Sequence, residues 1–204
     1  MPSENDITLV VTSCGRYDLL ARTLESLYLC NDYPFAGVLI AEDWERIGLV
    51  KSVDRAYSRV ETPLVFHCED DWLFYSGGFM EQSLEILEHN PTAIQVWLRA
   101  HNDTNHHPVI YPAAYPFPIL DPNYNRGGEP IHEWGGFSWN PGLRRLDDWK
   151  KIGGYAKYQW PGENSADAER RISQLYRDLG YVAAILPDEA GYVKHIGAGR
   201  ELPK

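Results

Sequence analysis

Residues 63–72 of the chain read PLVFHCEDDW, a short apolar run followed by His-Cys and then three consecutive acids. The apolar part, residues 63–66, predicts a buried strand, because short apolar runs of this kind are typical of strands inside a sheet. The acids then lie at the carboxyl end of that strand. In open α/β sheets, ligands bind outside the carboxyl ends of the strands. The stretch therefore predicts both a sheet and a polar site at one of its edges.

Apolar runs and helical patterns alternate on both sides of this stretch. Further strands are predicted at 7–11, 38–40, 93–98 and 181–186, with a weaker candidate at 136–139. Helices are predicted at 18–29, 45–60, 78–88, 144–151 and 166–179. Strands and helices in alternation indicate an α/β fold with a mostly parallel, Rossmann-like sheet that carries helices on both faces.

The acids after the strands suggest a cation. Glu42 and Asp43 follow the predicted strand at 38–40, and residues 69–71 are Glu-Asp-Asp. Three adjacent carboxylates repel one another, and their burial without a counter-charge is costly. A divalent cation relieves that repulsion, and it can also bridge the phosphates of a nucleotide. A solvated acidic turn that caps the next helix is the alternative.

Composition limits the classes of function. The chain has 204 residues, 44% of them hydrophobic, and a formal net charge of −10. This acidic balance argues against a duplex-DNA or anionic-membrane binder, and no apolar run approaches the roughly 20 residues of a membrane span. The three scattered cysteines and the polar start of the sequence, which lacks a signal-peptide pattern, predict reduced thiols and a cytoplasmic location.

Several motifs, in their order along the chain, resemble those of family 2 glycosyltransferases with the GT-A fold. Residues 7–29, ITLVVTSCGRYDLLARTLESLYL, are similar to that family's opening strand, Thr/Ser-rich turn and first helix. Glu69-Asp70-Asp71 resembles its DxD element, with Glu in the first place. Further along, the resemblance covers the glycine loop at 135–139, the helix with a Gly-Gly-aromatic end at 148–155, the Glu-Asp helix start at 162–171 and the carboxyl-terminal histidine segment at 192–197.

The resemblance implies one GT-A domain over 1–204, with a nucleotide-binding half at 1–100 and a small irregular acceptor-binding half at 101–204. It implies a nucleotide-sugar donor, UDP-linked in the first instance, and Mn²⁺ or Mg²⁺. The metal ligands it implies are Asp71 and His195. The residues it places around the nucleotide are Thr12, Ser13, Arg16, Asp43, Glu69, Asp70 and Arg200.

Plainer roles remain open for the nucleotide-side residues. Thr12 and Ser13 are also suited to capping the first helix, Arg16 to lying exposed and Asp43 to forming an ordinary turn. Glu69 is expected either to support the metal or to contact the ribose.

Two alternatives also remain open near the carboxyl end. An imidazole beside carboxylates suits Mn²⁺ better than Mg²⁺, but a lone His195 is more often structural. Residues 197–200, Gly-Ala-Gly-Arg, fit either a hinge that brings Arg200 to a diphosphate or a frayed tail.

The acceptor side departs from the family pattern. An inverting transfer needs a carboxylate that takes the proton of the acceptor hydroxyl. The family has Glu-Asp where this chain has Glu163-Asn164, so we expect Glu163 to be the base, with Asp167 second. Asp167 is alternatively an acid placed by the helix dipole. The expected sugar contacts are Gly135, Gly136, Trp134 and Trp160.

The sequence therefore predicts a metal-dependent glycosyltransferase that acts on a hydroxyl acceptor, expected on a glycan, with inversion favoured. A nucleotidyltransferase-like enzyme and a non-catalytic nucleotide- or glycan-binding domain are the alternatives. A minority hypothesis is a phage-type enzyme that glycosylates modified DNA bases, which requires a basic cleft. The candidates for such a cleft are Arg99, Arg126, Arg144, Arg145, Lys150 and Lys151.

Overall fold

An eight-stranded sheet organises the computed structural model, which describes residues 6–124 and 135–197. The strands are β1 (Ile7–Ser13), β2 (Gly37–Glu42), β3 (Leu64–Glu69), β4 (Trp72–Phe74), β5 (Ala93–Trp97), β6 (Val109–Ile110), β7 (Ile119–Leu120), β8 (Gly142–Arg145), β9 (Val182–Ile185) and β10 (Val193–His195). The helices are α1 (Tyr17–Cys30), α2 (Leu49–Tyr57), α3 (Phe79–His89), α4 (Leu146–Lys151) and α5 (Ser165–Asp178), and a 3₁₀ turn spans Ala156–Tyr158.

The strand order of the large sheet is β2-β1-β3-β8-β5-β9-β7-β6. β1 pairs in parallel with β2 and β3, and β5 with β9, whereas β7 and β8 run against their neighbours. One face packs on α1 and α3, and the other on α2, α4 and α5. The predicted α/β fold with a mostly parallel sheet and helices on both faces is confirmed.

The antiparallel strand β8 was not predicted. Residues 136–139 form no strand, and the predicted helix at 144–151 begins only at Leu146, because 142–145 pair with both β3 and β5. A Cβ on Gly142 would collide with the carbonyl oxygen of Val96 in β5. Glycine at this position therefore permits the close pairing of β8 with β5.

The second helix begins later than the sequence pattern indicates. Residues 43–48 form a turn in which the Asp43 carboxylate accepts from the backbone N–H groups of Ile47 at 2.9 Å and Gly48 at 2.8 Å. Gly48, with a φ of 92°, precedes the first residue of α2. The turn keeps the Asp43 segment at the carboxyl end of β2.

A small second sheet joins β4 to β10 in antiparallel register, with Trp72 opposite His195. It brings the carboxyl-terminal histidine beside the acids that follow β3. Within the irregular stretch expected after residue 100, β6 and β7 pair with each other at the outer edge of the large sheet. Across 6–124 and 135–197, no helix has the length and apolar character required to span a bilayer.

Candidate functional site

A cavity of about 290 Å³ opens at the carboxyl ends of β1, β2 and β3. It lies at the edge of the sheet that the acidic strand ends predicted. The polar and charged residues that line it include Thr12, Ser13, Arg16, Asp43, Arg46 and Glu69. Five of the residues predicted to surround a nucleotide thus share one cavity.

The cavity wall contains buried hydroxyls that lack partners. Thr12 Oγ1 and Ser52 Oγ are buried and have no hydrogen-bond partner within the described part of the chain. Buried hydroxyls without partners are rare, so a polar ligand in the cavity would supply the hydrogen bonds that these two lack. Thr12 and Ser13 lie inside β1, and α1 has no side-chain cap, so neither of them caps that helix.

Arg16 connects the cavity to the acidic stretch. Its Nε donates to Asp70 Oδ2 at 3.2 Å, its Nη2 donates to Asp70 Oδ1, and its Nη1 donates to Asp71 Oδ2 at 2.8 Å. Burial raises the pKa of the fully buried Asp70, and Arg16 opposes that rise. Only 21% of the Arg16 side chain is exposed, so the exposed role left open for it does not hold.

Asp71 and His195 lie together as the metal prediction requires. His195 Nε2 lies 3.3 Å from Asp71 Oδ2, and the Ile196 N–H donates to the Asp71 backbone oxygen at 2.8 Å. Burial acts to raise the pKa of Asp71, but hydrogen bonds from His195 and Arg16 outweigh it and lower that pKa.

This pair fits part of a coordination sphere. Asp71 Oδ1 is buried without a hydrogen-bond partner, and a carboxylate with an imidazole is a donor set that suits Mn²⁺. No group of three or more His, Cys, Asp or Glu side chains arranged to hold a metal occurs in 6–124 or 135–197. A cation at Asp71 and His195 would therefore take further ligands from phosphate oxygens and water.

Gly197 supplies a test of this arrangement. A Cβ at this position would collide with the Asp71 carboxylate. Gly197→Ala is therefore expected to displace Asp71 and to weaken Mn²⁺-dependent nucleotide binding by about tenfold or more, measured by calorimetry. Gly37→Ala is the matched control, since a Cβ there meets no atom within 4 Å. Equal nucleotide affinity in the two variants would contradict the role assigned to Asp71.

Two further carboxyl groups have raised pKa values, one in the cavity wall and one in α5. Burial, together with the nearby Asp71 and Glu169, raises the pKa of Glu69 to about 8, and the Trp72 indole N–H lies 3.5 Å from its Oε2. Burial also raises the pKa of Glu169 to about 7. Two groups partly offset this rise: the Trp139 N–H, which donates to Glu169 Oε2 at 3.0 Å, and the charge of Arg144. Perturbed carboxyls in a cleft are typical of functional sites.

The sequence interpretation missed Glu169. It lies in α5, three residues before the buried Ile172 and seven before the buried Tyr176, so it occupies the helix face that packs on the sheet. An acid on the apolar face of an amphipathic helix is the pattern that could have identified it.

The two carboxylates predicted as bases take part in local structure. Glu163 accepts from Arg171 at 2.7 and 3.0 Å and from the Trp160 N–H at 2.8 Å, and these bonds lower its pKa, with Arg171 the larger cause. Asp167 forms a capping box with Asn164 at the start of α5, which is the helix-terminal role left open for it. Their assignment as bases stays a prediction.

The predicted sugar contacts have different surroundings: Trp160 is exposed, whereas Gly135 and Gly136 are packed between α5 and β9. Trp160 is 58% exposed, and the Arg171 guanidinium lies 3.5 Å from its ring centre. A Cβ at Gly135 would collide with Ser173 of α5, and one at Gly136, with a φ of 97°, would meet Ala183 of β9. These glycines let the loop pass between helix and sheet. Trp134 and Arg200 lie outside the described residues.

Comparison with known proteins shows the fold. No protein-family model matches the chain, and no curated protein matches its sequence. Among solved structures, the mannosyltransferase PcManGT from Pyrobaculum calidifontis, in complex with GDP-Man and Mn²⁺, matches with a TM-score of 0.60 at 16% identity, over 90% of this chain and 55% of that one. S. aureus TarS 1–349 in complex with UDP-GlcNAc matches with a TM-score of 0.57 at 13% identity, over 95% of this chain and 61% of that one.

The chain thus spans little more than half the length of these proteins. Their likeness confirms the predicted GT-A-type fold, and at such low identity it concerns the fold alone.

Proposed function

We propose that the chain is a metal-dependent glycosyltransferase that moves a sugar from a nucleotide-sugar donor to a hydroxyl acceptor. The observation that carries this proposal is the cavity at the ends of β1, β2 and β3, where hydroxyls, Arg16 and the acids of 69–71 converge. Support comes from the fold, which is shared with proteins solved with GDP-Man and UDP-GlcNAc. A UDP-linked donor is our first choice.

The donor side binds through residues of the strand ends. Each Asp43 carboxylate oxygen accepts a hydrogen bond from a backbone N–H, so the carboxylate is fixed in place. Its remaining lone pairs can accept hydrogen bonds from the nucleobase or from a ribose hydroxyl. Thr12 and Ser13 line the same cavity and would contact the nucleoside there. Glu69 lines the same cavity, where burial and the nearby Asp71 raise its pKa, and it is our candidate for contact with a ribose hydroxyl.

Asp71 and His195 would hold Mn²⁺ or Mg²⁺, which, when bound, supplies a Lewis acid to the leaving diphosphate. The chain's own contribution there is to keep the Asp71 carboxylate ionised. Arg16 and His195 do so, because both stabilise its charged form. The Ile196 N–H donates to the Asp71 backbone oxygen and so fixes the turn between β3 and β4 that carries the carboxylate.

On the acceptor side we assign the base to Glu169, ahead of Glu163 and Asp167. Its Oε2 is fixed by the Trp139 N–H, and it lies close enough to Glu69 for the two charges to interact. The carboxylate takes the hydroxyl proton while the acceptor oxygen bonds to the anomeric carbon and the bond to the nucleoside diphosphate breaks. Attack opposite the leaving group gives inversion.

This assignment predicts the direction of the pH dependence. A base must be deprotonated, and burial raises the pKa of Glu169 to about 7. The rate of transfer is therefore expected to rise with pH, falling about tenfold per unit below pH 6 and levelling above neutrality. Initial rates at fixed saturating Mn²⁺ measure it. A rate already constant at pH 5 would point to a carboxyl of lower pKa, such as Glu163.

A donor screen tests the function as a whole. UDP-, GDP- and other nucleotide sugars are incubated with the protein in Mn²⁺ or EDTA, with and without simple sugar acceptors, and the released nucleotide is measured. We expect one nucleoside diphosphate to be released, and only with the metal. Release of sugar 1-phosphate instead would indicate transfer of the nucleotidyl group, and tight binding without release would indicate a non-catalytic domain.

The DNA-modifying alternative loses much of its support. Arg99 and Arg144 are buried, and Arg145 donates to the backbone oxygens of Ala93 and Asn90. These three arginines therefore bind the chain itself and form no open basic cleft. A saccharide acceptor remains our proposal.

A further inference from the structure

Arg16 holds two carboxylates that differ in their surroundings. Asp70 is fully buried, and its carboxylate accepts hydrogen bonds from two nitrogens of the guanidinium, Nε and Nη2. Asp71 Oδ2 accepts a hydrogen bond only from Nη1 of this guanidinium, at 2.8 Å, and it also lies 3.3 Å from His195 Nε2. The side chain is thus anchored by one acid and shared with the other.

The contacts of Arg16 with Asp70 and with Asp71 differ in how readily a ligand can replace the carboxylate. A buried carboxylate that loses its cation is left uncompensated, so the two-bond contact with Asp70 is expected to persist. The single bond to Asp71 lies on the side where Arg16 lines the cavity. A small rotation about the Asp70 anchor would turn Nη1 toward a ligand in that cavity.

A diphosphate is the ligand that such a guanidinium binds well. Arginine donates in a planar fork that matches phosphate oxygens. Asp71 Oδ1 is already buried without a partner, so its carboxylate is incompletely bonded even while Nη1 is in place.

We propose that Arg16 is a charge-exchange residue whose Nη1 covers Asp71 in the nucleotide-free protein and moves to the donor's diphosphate on binding. The inference rests on the proposed function, since it requires a nucleotide diphosphate in the cavity. Departure of Nη1 leaves the Asp71 carboxylate open to a divalent cation. Nucleotide binding therefore precedes tight cation uptake, and Arg16 sets that order.

Nucleotide-free protein gives the sharpest test. Mn²⁺ uptake is measured by calorimetry and by electron paramagnetic resonance, without any sugar transfer. Arg16→Lys keeps a cation beside Asp70 but cannot reach both acids, and Arg16→Gln removes the charge. We expect both variants to bind Mn²⁺ about tenfold more tightly than the wild type without nucleotide, and to bind UDP more weakly. Arg55→Lys, an exposed arginine paired with Glu45, is the control and should match the wild type.

An unchanged Mn²⁺ affinity in the nucleotide-free Arg16→Lys protein overturns the proposal. A failure of UDP and GDP to bind any of these proteins would instead overturn the proposed function, so the two failures are distinct. Should both variants unfold, a crystal structure of the wild type with UDP decides. Nη1 on a phosphate oxygen supports the exchange, and Nη1 still on Asp71 excludes it.

Discussion

Glu169→Gln is expected to lower kcat by about 10²- to 10⁴-fold, the usual contribution of a positioned general base. The amide keeps the size of the side chain and an oxygen to accept the Trp139 N–H, but it cannot take a proton. Donor affinity is expected to stay within about twofold, since Glu169 acts on the acceptor. Calorimetry with UDP and initial rates of transfer separate these two effects.

The same amide substitutions at the other two candidates are the matched controls. Glu163→Gln weakens the pair with Arg171, and Asp167→Asn weakens the cap of α5, so each is expected to lower the free energy of unfolding. We expect both variants to melt at lower temperature and to retain most of their turnover. Arrest of transfer by Glu163→Gln alone would return the base assignment to that residue.

Asp71→Asn is expected to abolish Mn²⁺-dependent nucleotide binding, a loss of at least about 100-fold in affinity, because the neutral amide is a poor ligand for a hard cation. Binding in EDTA should change far less. Asp147→Asn, on an exposed side chain of α4, is the matched control. Calorimetric titration of UDP with and without Mn²⁺ measures both, and a Mn²⁺ dependence that survives in Asp71→Asn removes the metal assignment.

The cavity at the ends of β1, β2 and β3 was accessible from the sequence because its residues follow strands with strong local patterns. β1, β2 and β3 are apolar runs whose polar ends need only be placed at one edge for Thr12, Asp43 and Glu69 to meet. Parallel pairing places the carboxyl ends of these strands at one edge, so the sheet type was sufficient to predict that their polar residues meet.

The rest of the site was less accessible because long-range pairing shapes it. β8, β4 and β10 have three or four residues each and acquire their structure from partners far along the chain. Runs this short carry no distinctive periodicity. The pairing of Trp72 with His195, which places the histidine beside Asp71, was therefore not predicted, and only the family resemblance implied that His195 and Asp71 act together.

Asn164 shows how a motif can mislead. It stands where the resemblance leads one to expect the base, and it serves as the amino-terminal cap of α5. The search for a base accordingly stayed among the neighbouring acids, Glu163 and Asp167. Glu169, the base proposed above, was not considered, because sequence spacing alone does not show which acids of α5 lie on its buried face.

The reversed direction of β8 has an evolutionary consequence. β5 ends, and β8 begins, at the same edge of the sheet, so the chain between them departs from and returns to the mouth of the site. Outside β6 and β7, which belong to the same sheet, insertions, deletions or exchanges in that excursion leave the register of β1, β2 and β3 untouched. Lineages that share this scaffold can therefore vary one side of the cavity mouth while inheriting the strand ends on the other side unchanged.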